Sequence, residues 1–529
     1  MKKVVIIAVI SFNIVSVCAQ LEYIPSSEIN IGKNFKTNTD IIADEYVFSD
    51  NIFSWNIDDS AKLLTLQLRG TSKNGNDLND TGNMQLFDFG TNYIKWNKKL
   101  DYTTTNIDQY DNMFLKTTDG KSSRLNNDNG ENLWQAKNTI YYVNTIQKIG
   151  VGYKYSDTDF TNTLEGIDLN TGKSMWKRVV RRDYGLNDIS LLNDSVILVA
   201  ANGLHAVNLK NGTGWDYDAA TGQKDHTATI GANIVSFAFS ALMGTDFEVY
   251  SGHDLYTDVV SNVLVNSTSI YMADQKSIIR IDQNGDVRWK ENLPKGLPSK
   301  STLFIKDSVL YMVNHGFAFR NGQLVNYGKP FVAGFNISNG KRVYLTPIEY
   351  KKEQINAFDT HQDTLFLLTK SRVYKYSLTN GSELWEQTIK RDSLGELTDF
   401  AQADVYIKSD SGFTNLSLSD STKVQVFTSK DKLLVLNDLL KPDKIIPQND
   451  LYFCYLETEG YKFLENGGIT VVIDKNNKQV AELNISKNAI LKGRTLYEAQ
   501  GNSVVAIDID QVIKNHIQMP ALQPTDLPK

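Results

Sequence analysis

The chain has 529 residues, of which 10% are aromatic and only two are cysteine. Its formal charge of −6 argues against a nucleic-acid or anionic-lipid surface, and two cysteines are too few for a disulfide framework. At this length several domains are expected unless repeats let one domain grow.

Residues 1–19 read as a secretory signal peptide: Lys2 and Lys3, an apolar run from Val4 to Ile10, then Val17-Cys18-Ala19 before Gln20. Cleavage after Ala19 is expected, with lipidation at Cys18 as the lesser alternative, because Val17 stands where a smaller residue is usual. The apolar run is too short to span a bilayer. Removing Lys2 and Lys3 takes the charge from −6 to −8 and leaves Cys454 alone, so no disulfide can form within the mature chain. Tyr46-Val47-Phe48 or Ile52-Phe53-Ser54-Trp55 is expected to complete the last structural unit, because an open strand edge invites aggregation.

From residue 88 onward one short phrase recurs. Its clearest copy runs from Gly166 to Trp176: counting Asp168 as zero, Thr171 falls at +3, Gly172 at +4 and Trp176 at +8. Asn126, Gly130 and Trp134 fit the same frame, as do Ser377, Gly381 and Trp385. Asn336, Gly340 and Tyr344 fit with Tyr for Trp, and Asp88 with Trp96 fits without the glycine. Asn208, Gly212, Trp215 and Asp282, Gly285, Trp289 fit with the turn or tail shortened by one. The phrase describes a β-hairpin: a strand, a polar residue that can accept turn amides, a glycine free to take positive φ, and a return strand bearing one large aromatic. Copies start at 88, 126, 168, 208, 282, 336 and 377, with weaker candidates at 417, 474 and 508. Most spacings lie near the roughly 40–45 residues of a four-stranded propeller blade. A further strand pair precedes each hairpin, such as Leu191-Leu192-Asn193-Asp194-Ser195-Val196-Ile197-Leu198-Val199. The expected fold is all-β: a single closed propeller over 20–510, with residues 511–529 as a tail. Trp176 and Trp385 are both expected to be buried between blades.

One interval breaks the rhythm. Residues 216–262 form an insert between repeats, and its uncharged run 229–244 predicts a short helix, packed on a propeller face or docking a partner. A second expansion lies near Gly322 to Lys329, and inserts in repeat folds tend to mark the binding face.

The Asp168-x-x-Thr171-Gly172-x-x-x-Trp176 phrase resembles the pyrroloquinoline-quinone (PQQ) repeat of the quinoprotein-dehydrogenase-like β-propellers. The resemblance covers about 80–510 and implies eight blades, against a raw count of ten candidate hairpins. Val424–Phe427 and Leu433–Leu436 are open to pairing with each other. The family holds both dehydrogenases and non-enzymatic scaffolds, among them the scaffold lipoprotein of the outer-membrane β-barrel assembly machinery. Its dehydrogenases typically carry a vicinal disulfide, a calcium site and a catalytic Asp, and no segment here matches that set.

Other candidates are equally bare. The six histidines, His205, His226, His253, His315, His361 and His516, show no compact ligand spacing and read as scattered strand or surface residues. Asn126-Asn127-Asp128-Asn129-Gly130 and Asp282-Gln283-Asn284-Gly285-Asp286 look like calcium loops but coincide with the repeat turn and lack a closing Glu. Cys454 sits in an apolar strand-like run and reads as a buried thiol. Asp-Ser/Thr-apolar triplets at Asp59, Asp194, Asp307, Asp363 and Asp392 read either as O-glycosylation acceptors or as turns. The expectation is an exported, periplasmic or outer-membrane-associated monomer without cofactor, metal or catalytic residues, which binds an envelope protein or a glycan. The alternative is a PQQ/calcium-dependent oxidoreductase.

Overall fold

The structure is a computed structural model that describes residues 22–58, 62–72, 78–156, 161–182, 186, 188–219, 261–320, 323–348, 353–391, 394–401, 404–416 and 424–514. The signal segment 1–19 and the helix expected over 229–244 lie outside the described residues.

Short, β-branched and aromatic-rich segments punctuated by Gly, Asn and Asp turns form antiparallel four-stranded groups. Eight of these are separate sheets, units 1 to 8, spanning 51–101, 105–135, 138–179, 188–218, 264–292, 301–347, 357–388 and 397–447. Unit 9 (451–483) and unit 10 (490–508) belong to one eleven-stranded sheet. The resemblance favours eight blades and the raw count gives ten hairpins; the described strands fall into these eight separate four-stranded sheets, the eleven-stranded one and a two-stranded hairpin. One candidate moves. The start at 417 falls outside the described residues, and unit 8 makes its turn at Asn437 instead. Val424–Thr428 does pair with Lys432–Leu436.

All ten units share one local device. The side chain at position zero accepts the amide two residues on: Asp168 Oδ1 from Asn170 N at 2.8 Å, Asn208 Oδ1 from Lys210 N at 2.9 Å, Asn437 Oδ1 from Leu439 N at 3.0 Å. Asp88, Asn126, Asp282, Asn336, Ser377, Asp474 and Asp508 make the same turn. This is why Asp and Asn dominate the position.

The aromatic at +8 acts between units. Trp176 Nε1–H donates to Leu209 O of unit 4 at 2.7 Å, and Trp134 Nε1–H to Leu169 O of unit 3 at 2.9 Å. Trp96 reaches Asn127 O, Trp215 reaches Gln283 O and Trp289 reaches Ile337 O. In each case the acceptor is the carbonyl one residue after position zero of the following unit. The ring also lies flat against that unit's glycine. Gly212 has φ +72°, and a Cβ there would stand 2.6 Å from Trp176 Cε3. The glycine therefore meets two demands, positive φ and room for the ring. Where no indole arrives, the first demand stands alone: Asn92 in unit 1 and Asn477 in unit 9 take φ of 60° and 58° with side chains present.

Consecutive units share buried clusters, such as Leu198 and Ala206 of unit 4 with Ile270 and Ile279 of unit 5. The last unit also packs on the first: Tyr497 and Val504 share a core with Leu66 and Phe87. The chain start makes this contact. Strand β1 (Ser26–Asn34) pairs with the fourth strand of unit 9, and β2 (Thr39–Val47) serves as the fourth strand of unit 10, with Tyr46 opposite Val504. Of the two segments considered for this place, it is the one around Tyr46. Unit 10 is free to accept β2 because Asp508 caps a short helix, α1 (Ile509–Ile513), instead of leading into another strand. α1 is pinned by Asn34 Nδ2, which donates to Gln511 O and Val512 O. Residues 511–514 thus pack on the sheet, and the tail expected from 511 lies beyond them, outside the described residues.

The docking fails at one place. Trp385 of unit 7 is 40% exposed, against the expectation of burial, whereas Trp176 is 8% exposed. The physical reason lies in unit 8, where Lys441 occupies the +4 position that is glycine in units 2, 3, 4, 6 and 7. Unit 8 has no indole either. Ile445 stands at +8 and is half exposed. Instead, a hairpin (Val405–Ser409 with Gly412–Asn415) packs Tyr406 and Phe413 on Leu464, Val471 and Ile473 of unit 9. Phe413 N–H donates to Asn477 O in that unit's turn at 2.9 Å. The hairpin makes the contact that an indole makes elsewhere.

Trp176→Ala is expected to lower stability by about 3–5 kcal/mol, as for other large core aromatics, whereas Trp385→Ala costs about 1 kcal/mol or less. Urea melts of the two variants check the difference.

Candidate functional site

Unit 6 carries the most elaborate polar interior outside the repeat turns. Its second strand (Val309–Asn314) ends in Asn314-His315-Gly316, then a hairpin (Phe317–Arg320 with Gln323–Asn326) intervenes before the third strand (Phe331–Asn336). That hairpin is the expansion noted near Gly322. Asn314 is fully buried, and a buried amide must be satisfied. Its Oδ1 accepts Ser299 N at 2.7 Å, Ser299 Oγ–H at 3.1 Å and Ser301 Oγ–H at 2.9 Å. Its Nδ2 donates to Leu297 O at 3.2 Å and Lys329 O at 2.6 Å. One side chain thus ties the connector from unit 5 to the segment leaving the hairpin. Gly316 has φ +80°, and a Cβ there would meet Pro330 Cδ at 2.8 Å.

His315 ties in a third segment. Its backbone N–H donates to Lys300 O, and its carbonyl accepts Ile355 N–H. Nδ1 lies 3.1 Å from Ile355 O, so that nitrogen carries the proton. Nε2, 2.9 Å from Thr302 Oγ1, then accepts the hydroxyl. Burial pushes the imidazole pKa down to about 4, against a smaller upward pull from the Ile355 carbonyl, and the ring is neutral at pH 7. Phe358 and Phe304 stack beside it, with ring centroids 5.6 Å apart. Gln354 Nε2 donates to Asn326 Oδ1 at the hairpin. Three connectors and a hairpin are therefore held as one rigid platform, with Leu324 exposed near the hairpin tip. His315 is neither a surface residue nor an ordinary strand residue. The signal available in the sequence was a polar Asn-His-Gly step directly after the apolar run Val309–Val313.

The remaining sequence candidates are dispersed. Asp168, Thr171, Gly172 and Trp176 lie in one turn and its return strand, where Thr171 Oγ1–H donates to Asp168 Oδ2 at 2.9 Å. Gly130, Gly340 and Gly381 lie under Trp96, Trp289 and Tyr344 respectively. The oxygens of Asn126 and Asp282 accept amides of their own turns. Cys454 is half-buried, and burial raises its thiol pKa; Sγ lies 3.7 Å from Leu456 O. His205 is buried against Asp216, Nδ1 to Oδ1 at 2.6 Å, while His226, His253 and His516 lie outside the described residues. Asp194-Ser195 and Asp307-Ser308 occupy turns between first and second strands, and Asp363 ends such a turn with Thr364 opening the second strand; Asp59 and Asp392 lie outside the described residues.

Among the described residues, no three His, Cys, Asp or Glu side chains come together in a way that could hold a metal. Cys454 is the one free thiol among the described residues, so they hold no adjacent pair of cysteines of the kind typical of quinoprotein dehydrogenases. No described helix is long and apolar enough to cross a membrane.

Residues 71–291 match the family model for outer membrane protein assembly factor BamB. The stretch holds the phrase that resembles the PQQ repeat. It runs from the end of the second strand of unit 1 into the fourth strand of unit 5, and within it Trp96, Trp134, Trp176, Trp215 and Trp289 each donate to the next turn. No curated protein matches the chain. Among solved structures, BamB from Moraxella catarrhalis is similar at 14% identity, covering 76% of this chain and 96% of its own, with a TM-score of 0.32. The computationally designed Ika8 protein is similar at 12% identity over 71% and 95% of the two chains, TM-score 0.30. The C-terminal WD40 domain of Sif2 is similar at 10% identity over 77% and 95%, TM-score 0.30. At these scores the likenesses add nothing to what the strand pairing shows.

A pH dependence follows from His315. Its folded pKa of about 4 lies below the ordinary value of 6.5, so only the unfolded chain takes up this proton between those values. Stability contributed by the neutral ring is complete above pH 6.5 and falls as the pH drops toward 4, by on the order of 3 kcal/mol. Denaturant melts of the parent and of His315→Gln across that window check this. The parent is expected to show the steeper loss.

Proposed function

We propose that the protein is a non-catalytic β-propeller scaffold of the cell envelope, a closed ring of ten blades acting as a monomer, which binds another protein through the loop platform of unit 6. The match of residues 71–291 to a family described as an outer membrane assembly factor supports the envelope and the scaffold role. The reading of residues 1–19 as a signal peptide supports export. The observation that carries the choice of surface is the buried Asn314–His315 network. This platform spends two fully buried polar side chains on fixing three connectors and a hairpin relative to one another. Rigid support of exposed loops is how scaffolds present a recognition surface.

The test replaces only the outer part of the hairpin, residues 320–325, with a short Gly-Ser linker in the mature chain, leaving the buried Phe317 and Ala318 and the Asn326 bond in place. Chemical cross-linking in envelope preparations is then compared between parent and variant. The expected result is loss of a specific cross-linked protein with an unchanged melting temperature. Recovery of the same cross-links from the folded variant would refute the platform as the binding surface.

A further inference from the structure

At the seam between units 5 and 6 lies an open cleft of about 600 Å³, apart from the loop platform. Every residue that lines it carries a polar or charged group. Ser267 and Thr268 come from the turn between the first two strands of unit 5, Arg280 from its third strand, Arg288 from its fourth, and Ser338 from the turn of unit 6. Ligand pockets are mostly lined by apolar residues, so a cleft lined by charged, hydroxyl and amide side chains favours a hydrophilic ligand.

The repeat geometry explains why the cleft exists. In unit 2 the residue two before position zero is Arg124, whose Nη1 donates to Leu169 O at 3.1 Å and to Asn170 Oδ1 at 3.2 Å. Arg280 holds the same place in unit 5, with Nη1 3.5 Å from Ile337 O and Nε donating to Ser269 Oγ at 2.9 Å. The residue matching Asn170 in unit 6 is Ser338. Its shorter side chain stops at its own turn, where Oγ–H donates to Asn336 Oδ1 at 2.6 Å. The space filled by an amide at one seam is open at the other.

The second guanidinium belongs to Arg288. It sits at the bulge where Arg280 pairs with Trp289 and Ile281 with Val287. It is half exposed and ion-pairs with Asp282 Oδ2. Asp282 also accepts amides from Asn284 and Asp286 at 2.9 and 3.0 Å. Burial raises its pKa, but the bonds from Asp286 N–H, Arg288 and Asn284 N–H outweigh this and hold it below the usual range. Two fixed cations and one anion leave the cleft with a single net positive charge.

We propose that this cleft binds the carboxylate of an acidic sugar, a uronic-acid-type residue of a glycan. A single net charge suits a monoanion. Planar guanidinium groups suit a carboxylate, and the hydroxyl and amide side chains around them suit sugar hydroxyls. The proposal stands apart from the protein-docking platform, and either can fail without the other.

The test uses the mature full chain and sodium glucuronate, followed by ligand-observed NMR and calorimetry at low salt. Saturable binding is expected, with glucose and acetate each weaker by about tenfold or more. Arg288→Gln, at a half-exposed position, is expected to fold normally and to weaken glucuronate about tenfold. Arg280→Lys, which keeps the charge but loses the fork, is expected to weaken it as well. Absence of saturable binding, or equal affinity in Arg288→Gln, overturns the proposal. Equal binding of acetate overturns it in favour of a bare-anion site, and equal binding of glucose overturns the role of the carboxylate.

Discussion

The fold depends on an indole N–H that reaches out of its own sheet to a backbone carbonyl in the next. A four-stranded antiparallel sheet is small, and it leaves two apolar faces to cover. Here the covering is registered as well as apolar. Each indole finds the carbonyl one residue past the Asp or Asn of the neighbouring turn, as Trp176 finds Leu209 O. The ring can reach that carbonyl only because the turn closes over a glycine. The Asx turn presents the carbonyl, the glycine clears the space, and the tryptophan locks the register.

The second half of the chain shows what replaces the lock. Unit 8 lacks the glycine, so Trp385 is left exposed. A hairpin inserted in unit 8 packs Tyr406 and Phe413 on unit 9. Units 9 and 10 have neither glycine nor tryptophan in frame, and they are joined instead by β1, β2 and α1. There the seam is a continuous sheet with a core of aliphatic side chains, including Ile31, Ile41, Leu483, Val505 and Val512. The chain thus uses side-chain docking where units follow one another regularly and backbone pairing where its ends meet.

Much of this was legible in the sequence, for a definite reason. The turn, the glycine and the tryptophan are local, lie at fixed spacing, and recur. The four-stranded unit follows from them; that the chain start completes the last unit was legible too, but the choice of Tyr46-Val47-Phe48 over Ile52-Phe53-Ser54-Trp55 comes from the strand pairing. Three features were not legible. Exposure of Trp385 depends on Lys441, which is 56 residues further on in a unit whose turn had been placed at 417. The role of His315 depends on Thr302 and Ile355, neither of which forms a pattern with it. The polar cleft depends on a single small residue, Ser338, at a position where another unit has Asn170. Each of these is a relation between repeats, and a motif read within one repeat does not contain it.

Hydrogen exchange at the indole nitrogens, followed by ¹⁵N-resolved NMR of the native protein, tests the docking account most directly. The Nε1–H groups of Trp96, Trp176 and Trp289, buried and bonded to the next turn, are expected to exchange orders of magnitude more slowly than Trp385. Comparable exchange at Trp176 and Trp385 would contradict the account, since it would mean that the indole of one unit is not locked on the turn of the next.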